Sequence, residues 1–189
     1  MNDSCRQSPP FLEDSDLWAR LHSEQFLDAY RNTTVEIVSS GHESLDKILP
    51  YGGFQRGSLV EWFPEDVTSK GLGSGAGTLS LSMATAACHD GGAFVVVEQA
   101  SDRQEGSIFY PPAALAWGIT EEQLVIVHPA NVQEAVWCLD QVLRNPAVSA
   151  VWAPLDFLDP RLFRRLQLSA ESGRCLGCLL RPGRARKDP

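Results

Sequence analysis

Residues 71–78, GLGSGAGT, decide how this chain reads. A strand-like run, Ser58–Phe63 (SLVEWF), leads into them, and a helix-like run, Thr78–Cys88 (TLSLSMATAAC), leads out. Strand, glycine loop and helix form the layout of a phosphate-binding loop, in which backbone N–H groups and a helix N-terminus cradle a polyphosphate. Gly73, Ser74, Gly75, Ala76, Gly77 and Thr78 are therefore the candidate nucleotide-binding residues. A working loop reads G-x-x-x-x-G-K-[ST], with the lysine on the β- and γ-phosphates and the hydroxyl on Mg²⁺. Here Gly75 is followed by Ala76 and Gly77, and Lys70 lies on the other side of the glycines. The loop keeps the glycines and lacks the charge. Two uses stay open for it: weak anion binding through backbone N–H groups, or a plain connection from strand to helix.

Working outward, the chain alternates strands and helices. Residues 1–16 are rich in acids and prolines and read as a disordered tail. Leu17–Tyr30 has apolar residues near helical spacing, with Asp16 as N-cap. Val35–Val38 reads as a short strand and Leu45–Leu49 as a short helix. Ala93–Glu98 (AFVVVE) is a continuous apolar run, the mark of a strand buried on both faces of a parallel sheet. A short helix at Pro111–Trp117, a strand at Leu124–Val127 and a helix from Asn131 to Arg144 come next. Val148–Trp152 is the next strand, Asp159 caps a helix to about Ser172, and Cys175–Leu180 is the last strand. This order predicts an α/β fold, with a mainly parallel β-sheet flanked by helices. A single core domain spans residues 17–182, with a basic tail at 183–189.

The 189 residues suit one domain, and 43% hydrophobic with 21% charged residues is an ordinary globular balance. No run approaches the roughly 20 apolar residues of a membrane helix, and the N-terminus has no signal-peptide core, so a cytoplasmic protein without membrane contact is expected. Cys175-x-x-Cys178 invites a metal or redox reading, but no histidine spacing supplies a second ligand pair. The pair is expected to be reduced core cysteines, with no metal. Trp62, Trp117, Trp137 and Trp152 are likewise expected in the core. The net charge of −8 argues against a surface coated for nucleic acid. Residues 160–189 nevertheless carry eight basic and two acidic side chains, a balance of +6, which leaves −14 for residues 1–159. A basic end on an acidic body suits a phosphate backbone or an acidic protein partner, and equally a solvated helix face.

In this order the segments resemble the core of RecA-type recombinases. Ser39–Trp62 (SSGHESLDKILPYGGFQRGSLVEW) is similar to the family's entry motif. Ala93–Asp102 (AFVVVEQASD) is similar to its next strand, which ends in a catalytic glutamate. Trp117–Trp152 resembles the run from a glycine turn to the Walker B strand. The resemblance implies a RecA-like P-loop NTPase-type domain over about residues 35–182, with Glu98 at the position that orients the attacking water. It also places Ala76 at the phosphate-binding lysine, Gly77 at the Mg²⁺-binding hydroxyl and Pro154 at the Walker B aspartate, with Asp156 as a candidate stand-in. Leu158–Pro182 (LDPRLFRRLQLSAESGRCLGCLLRP) looks most like the end of the core in ImuA-type proteins, also called SulA-type. These accompany a polymerase homologue in damage-induced translesion synthesis.

The resemblance therefore implies a non-catalytic accessory protein in DNA repair and the SOS response, docking on a recombinase filament or on translesion polymerase proteins. Glu98 is then a candidate relic, with a functional role equally open, and Arg161, Arg164 and Arg165 are candidates for partner or DNA contact. No cofactor is assigned, with weak ATP and Mg²⁺ binding left open, and weak DNA contact through the basic C-terminal tail is an option. The alternative is an ATP-dependent, single-stranded-DNA-binding recombinase-like ATPase. Against it, the Walker B loop is reduced to about Ala153–Asp159, and the sequence ends where a second DNA loop is expected. A cell-division inhibitor is a third, weaker alternative.

Overall fold

Ala93–Val97 and Val148–Pro154 are apolar on both alternating faces, so each needs cover above and below. The structure is a computed structural model that describes residues 36–64, 75–99 and 109–187. It places these two runs side by side in the middle of a five-stranded sheet. The elements in chain order are β1 (Ile37–Val38), α1 (Glu43–Asp46), β2 (Phe54–Gln55), β3 (Leu59–Trp62), α2 (Gly75–Ala87), β4 (Ala93–Val97) and α3 (Pro111–Ala116). They continue with β5 (Leu124–Val127), α4 (Val132–Arg144), β6 (Val148–Pro154), α5 (Pro160–Gly173), β7 (Leu176–Leu180) and a 3₁₀ turn at Gly183–Lys187. The large sheet runs β3-β7-β6-β4-β5 and every pairing in it is parallel. The α/β fold expected from the sequence is the fold observed.

Side-chain alternation sorts the helices onto two faces. Phe94, Val96, Trp152, Cys178 and Leu180 pack with Leu81, Met83 and Ala84 of α2 and Ala114 of α3. Val95, Val97, Val151, Ala153 and Leu179 pack with Leu139 and Leu143 of α4 and Leu166 and Ala170 of α5. Burying one such aliphatic side chain stabilises by about 1.5–3 kcal/mol, so the paired layers outweigh any single polar contact.

Local chemistry sets the helix starts. The Asn131 side chain accepts from the Glu134 amide, while the Glu134 carboxylate accepts from the Ala130 amide. One Asp159 oxygen accepts from the amides of Arg161 and Leu162 at 2.8 Å each, ahead of Pro160.

Several elements differ from expectation, among them α1, which spans Glu43–Asp46 where Leu45–Leu49 is expected. Helix α2 starts at Gly75 rather than Thr78, because first-turn amides need no intrahelical acceptor and small residues fit there. Strand β6 runs on to Pro154, which needs no ladder donor at a strand end. The segment expected as a loop from Ala153 therefore begins at Leu155. The two-residue strand β2, antiparallel to β1, carries no periodicity that a sequence reading finds. The 1–16 tail, the helix expected at Leu17–Tyr30, and the loop residues Gly73 and Ser74 lie outside the described residues.

The ends of α4 and α5 approach closely at Gly173. A Cβ there would collide with the Leu143 carbonyl oxygen and lie 2.9 Å from the Arg144 Cα. Gly173→Ala is expected to destabilise the protein by about 2–3 kcal/mol, because backbone rather than a flexible side chain must move. Urea titration of the two forms measures this directly.

Candidate functional site

Open α/β sheets build their sites beyond the carboxyl ends of the strands, where neighbouring connections leave toward opposite faces. Here β4 leads to α3 on one face and its neighbour β6 leads to α5 on the other, so the crevice lies between Glu98 and Leu155. The first turn of α2 belongs to the same sheet end. It consists of Gly75, Ala76, Gly77 and Thr78; Gly77 is buried, and Gly75 and Thr78 are exposed. These four residues bring no positive charge and, apart from Thr78, no hydroxyl. The Ser80 hydroxyl donates to the Gly77 carbonyl at 2.9 Å and accepts from the Trp152 indole at 2.9 Å, which holds the helix start against β6. Beside this turn is a cavity of about 230 Å³ whose lining includes Gly77, Thr78, Phe109, Tyr110, Trp117 and Trp152. Among the described residues its lining carries no charged side chain, and Phe109, Tyr110, Trp117 and Trp152 give it a mainly aromatic wall. Among the described residues of this turn, the Thr78 hydroxyl is present and no lysine is.

Glu98 comes directly after β4 and is buried, with 1% of its surface exposed. Its carboxylate accepts from the Phe109 amide at 2.7 Å. Its amide donates to the Val127 carbonyl at 3.0 Å, and its carbonyl oxygen lies 3.2 Å from His128 Nδ1. Across the crevice, the Leu155 amide donates to the Leu180 carbonyl, and Asp156 is exposed and ion-paired with Arg184 at 3.2 Å. Arg181, which in the sequence is only one of the charges of the basic end, is buried at the end of β7. Its Nη1 donates to the Leu155 carbonyl at 2.8 Å, and its Nε lies 3.0 Å from a Glu61 carboxylate oxygen without the alignment of a hydrogen bond. It ties the ends of β3, β6 and β7 together, and the Arg-Pro that closes the last strand is its only sequence signal.

The RecA N-terminal domain family matches residues 23–154. The chain belongs to that family. Among curated relatives it is 31% identical to the RecA protein of Deinococcus radiodurans over 128 residues, 66% of this chain and 31% of that one. It is 32% identical to the RecA protein of Desulforapulum autotrophicum over 128 residues, 66% of this chain and 33% of that one. The chain thus spans about a third of the length of these relatives. A crystal structure of SulA from Pseudomonas aeruginosa superposes with a TM-score of 0.48 at 14% identity, over 65% of this chain and 96% of that one.

Away from the crevice of this RecA-like domain, the structure shows where the α5 arginines lie. Arg161, Arg164 and Arg165 are all exposed on α5. Arg164 donates to Gln167 at 2.8 Å. Arg165 is committed to Asp140 of α4, with Nη2 and Nε at 2.9 and 3.2 Å from its two oxygens. Asp140 is buried and also accepts from Arg144 at 3.0 Å and from the Ser169 hydroxyl at 2.7 Å. The Arg165 guanidinium, with Ser169 and Arg144, holds its carboxyl down at about 2. The three groups do not converge with Glu98 or the α2 start, since α4 and α5 cover the other face of the sheet.

Cys175 and Cys178 are buried free thiols, pushed up by burial, which suits core residues and not reactive ones. Among the described residues no group of histidine, cysteine and carboxylate side chains could hold a metal ion. Among them, too, no helix is long and apolar enough to cross a membrane. Of the four tryptophans expected in the core, Trp152 is buried and Trp62 half-buried, whereas Trp117 and Trp137 face solvent at 40% and 63%.

These contacts carry two measurable consequences. Glu98→Ala orphans the buried Phe109 amide and is expected to cost about 1–3 kcal/mol in urea unfolding. Asp140 has a folded value of about 2 against an ordinary 3.8, so its contribution is full above pH 3.8 and is lost as pH falls toward 2. Because Arg144 and Arg165 are half exposed, that contribution is expected to be about 1–2 kcal/mol rather than the full shift. The stability gap between wild type and Asp140→Asn is expected to close over the same acid range.

Proposed function

We propose that this chain is a non-catalytic RecA-like accessory protein in DNA repair, of the ImuA-like kind that serves damage-induced translesion synthesis in the cytoplasm. In this reading it docks on a recombinase filament or on translesion polymerase proteins. The reading rests on the first turn of α2, where the resemblance puts Ala76 and Gly77 at the positions of the phosphate-binding lysine and the metal-binding hydroxyl and where neither brings a charge or a hydroxyl. In phosphoryl transfer the protein works mainly by placing charge around metal and phosphates. Removing one such group costs on the order of 10²–10³ in rate.

Two further observations support the reading. Pro154 occupies the end of β6, where a metal-side aspartate would stand, and Asp156 is engaged by Arg184. Glu98 spends its carboxylate on the Phe109 amide. Weak DNA contact through the basic C-terminal residues is the less supported part of the proposal, since Arg181 is buried and Arg184 is paired.

Calorimetry with ATP and Mg²⁺ tests the proposal. The expected result is no saturable binding at millimolar nucleotide and no phosphate release. Tight binding with turnover that Glu98→Gln abolishes would overturn it in favour of a recombinase-like ATPase.

A further inference from the structure

On α4, Val132, Gln133, Glu134, Trp137, Gln141 and Arg144 are exposed, while Ala135, Leu139 and Leu143 face the sheet. On α5 the exposed positions include Arg161, Arg164, Arg165 and Leu168, one turn apart along the helix, while Leu166 and Ala170 face the sheet. The Asp140 contacts with Arg165 and Ser169 put the two helices side by side, with Trp137 one turn before Asp140 and Leu168 one position before Ser169. The outer surface of the pair therefore presents Val132, Trp137 and Leu168, at 46%, 63% and 47% exposure, together with Arg144, Arg161, Arg164 and Arg165 and the carboxylates of Glu134 and Glu171. Asp140 is shared by Arg144 and Arg165, and no ion pair engages the guanidinium of Arg161 or Arg164 among the described residues. With Arg144 and Arg165 paired to Asp140, the positive charge left on this face is that of Arg161 and Arg164, on the same side of α5 as Leu168.

We infer that the outer face of α4 and α5 is the docking surface for an acidic amphipathic segment of a partner protein. Its apolar side chains pack on Trp137 and Leu168 and its carboxylates meet Arg161 and Arg164. The inference rests on the docking reading above and gives it a surface and a partner chemistry. Charge complementarity selects the occupant. Interactions at physiological salt fade over about 8 Å, so a short acidic segment feels the patch itself. A nucleic-acid strand long enough to bind firmly runs off the patch onto an acidic body, and it has no use for Leu168. Tryptophan and arginine are also the side chains that most often dominate protein interfaces.

Fluorescence anisotropy on the full chain tests this with three labelled probes. These are a glutamate-rich peptide with leucines one helical turn apart, a scrambled peptide of the same composition, and an oligo-dT strand. The amphipathic peptide is expected to bind saturably and at least about tenfold tighter than the scrambled one. Trp137→Ala and the pair Arg161→Glu with Arg164→Glu are each expected to weaken it about tenfold, with unchanged thermal unfolding because these side chains are exposed. Equal binding of the two peptides would overturn the inference, as would indifference to Trp137→Ala or tighter binding of oligo-dT through the same arginines. The nucleotide calorimetry separates the failures. Lost peptide binding without ATP turnover removes this surface and leaves the docking reading, whereas ATP turnover removes the docking reading itself.

Discussion

A parallel sheet whose central strands are apolar on both sides has to carry a helix layer on each face. With β4 and β6 adjacent at the centre, that requirement governs the placement of every helix that packs on them. The connections have to cross to both faces, and the strand order β3-β7-β6-β4-β5 does this, with α2 and α3 on one side and α4 and α5 on the other among the described residues. The crevice beyond β4 and β6 is a by-product of that crossing. It exists whether or not anything catalytic is placed in it.

The two layers are held by different chemistry. On the α2 face, contact is aromatic and apolar: the Phe109 ring is tilted against Trp152 at 5.4 Å and meets Phe94 edge-on at 6.1 Å, and the Trp152 indole reaches Ser80. On the other face a buried carboxylate joins two helices. A lone buried charge would cost several kcal/mol, but Asp140 accepts from two arginines and a hydroxyl, so the burial is compensated where it occurs. Such a contact has geometry as well as energy. It fixes the rotation of α5 against α4, and with it which residues of both helices look outward.

Much of this is legible in the sequence where the signal is local. The AFVVV run of β4 has the continuous apolar character of a doubly buried strand, and Asn131 and Asp159 mark helix starts by a mechanism that needs only neighbouring amides. The start of α2 is set too late by sequence because glycines signal a loop, although a first helical turn tolerates them. Arg165 reads there only as a candidate for partner or DNA contact, since its ion-pair partner Asp140 lies 25 residues away and is reached only after the helices pack. Trp117 and Trp137 read as core because tryptophan usually is, and exposure at one side of a helix depends on which neighbour covers it. Glu98 sits at the expected place in the order of elements, but its use by the Phe109 amide depends on where the chain returns at residue 109.

Inward and outward faces of α4 and α5 answer to separate demands, and this separation gives the docking reading its physical sense. The inward positions are fixed by the second core layer, and Asp140 neutralises its own arginines between the helices. Substitutions at the outward positions leave the core contacts alone, so that surface is free to change with a partner. The α2 start is constrained in the opposite way: its Gly77 and Ser80 are buried against the sheet, so the turn stays in place even where its residues bring no charge. A RecA-like domain on this plan keeps the frame of a nucleotide site because the frame is part of the core.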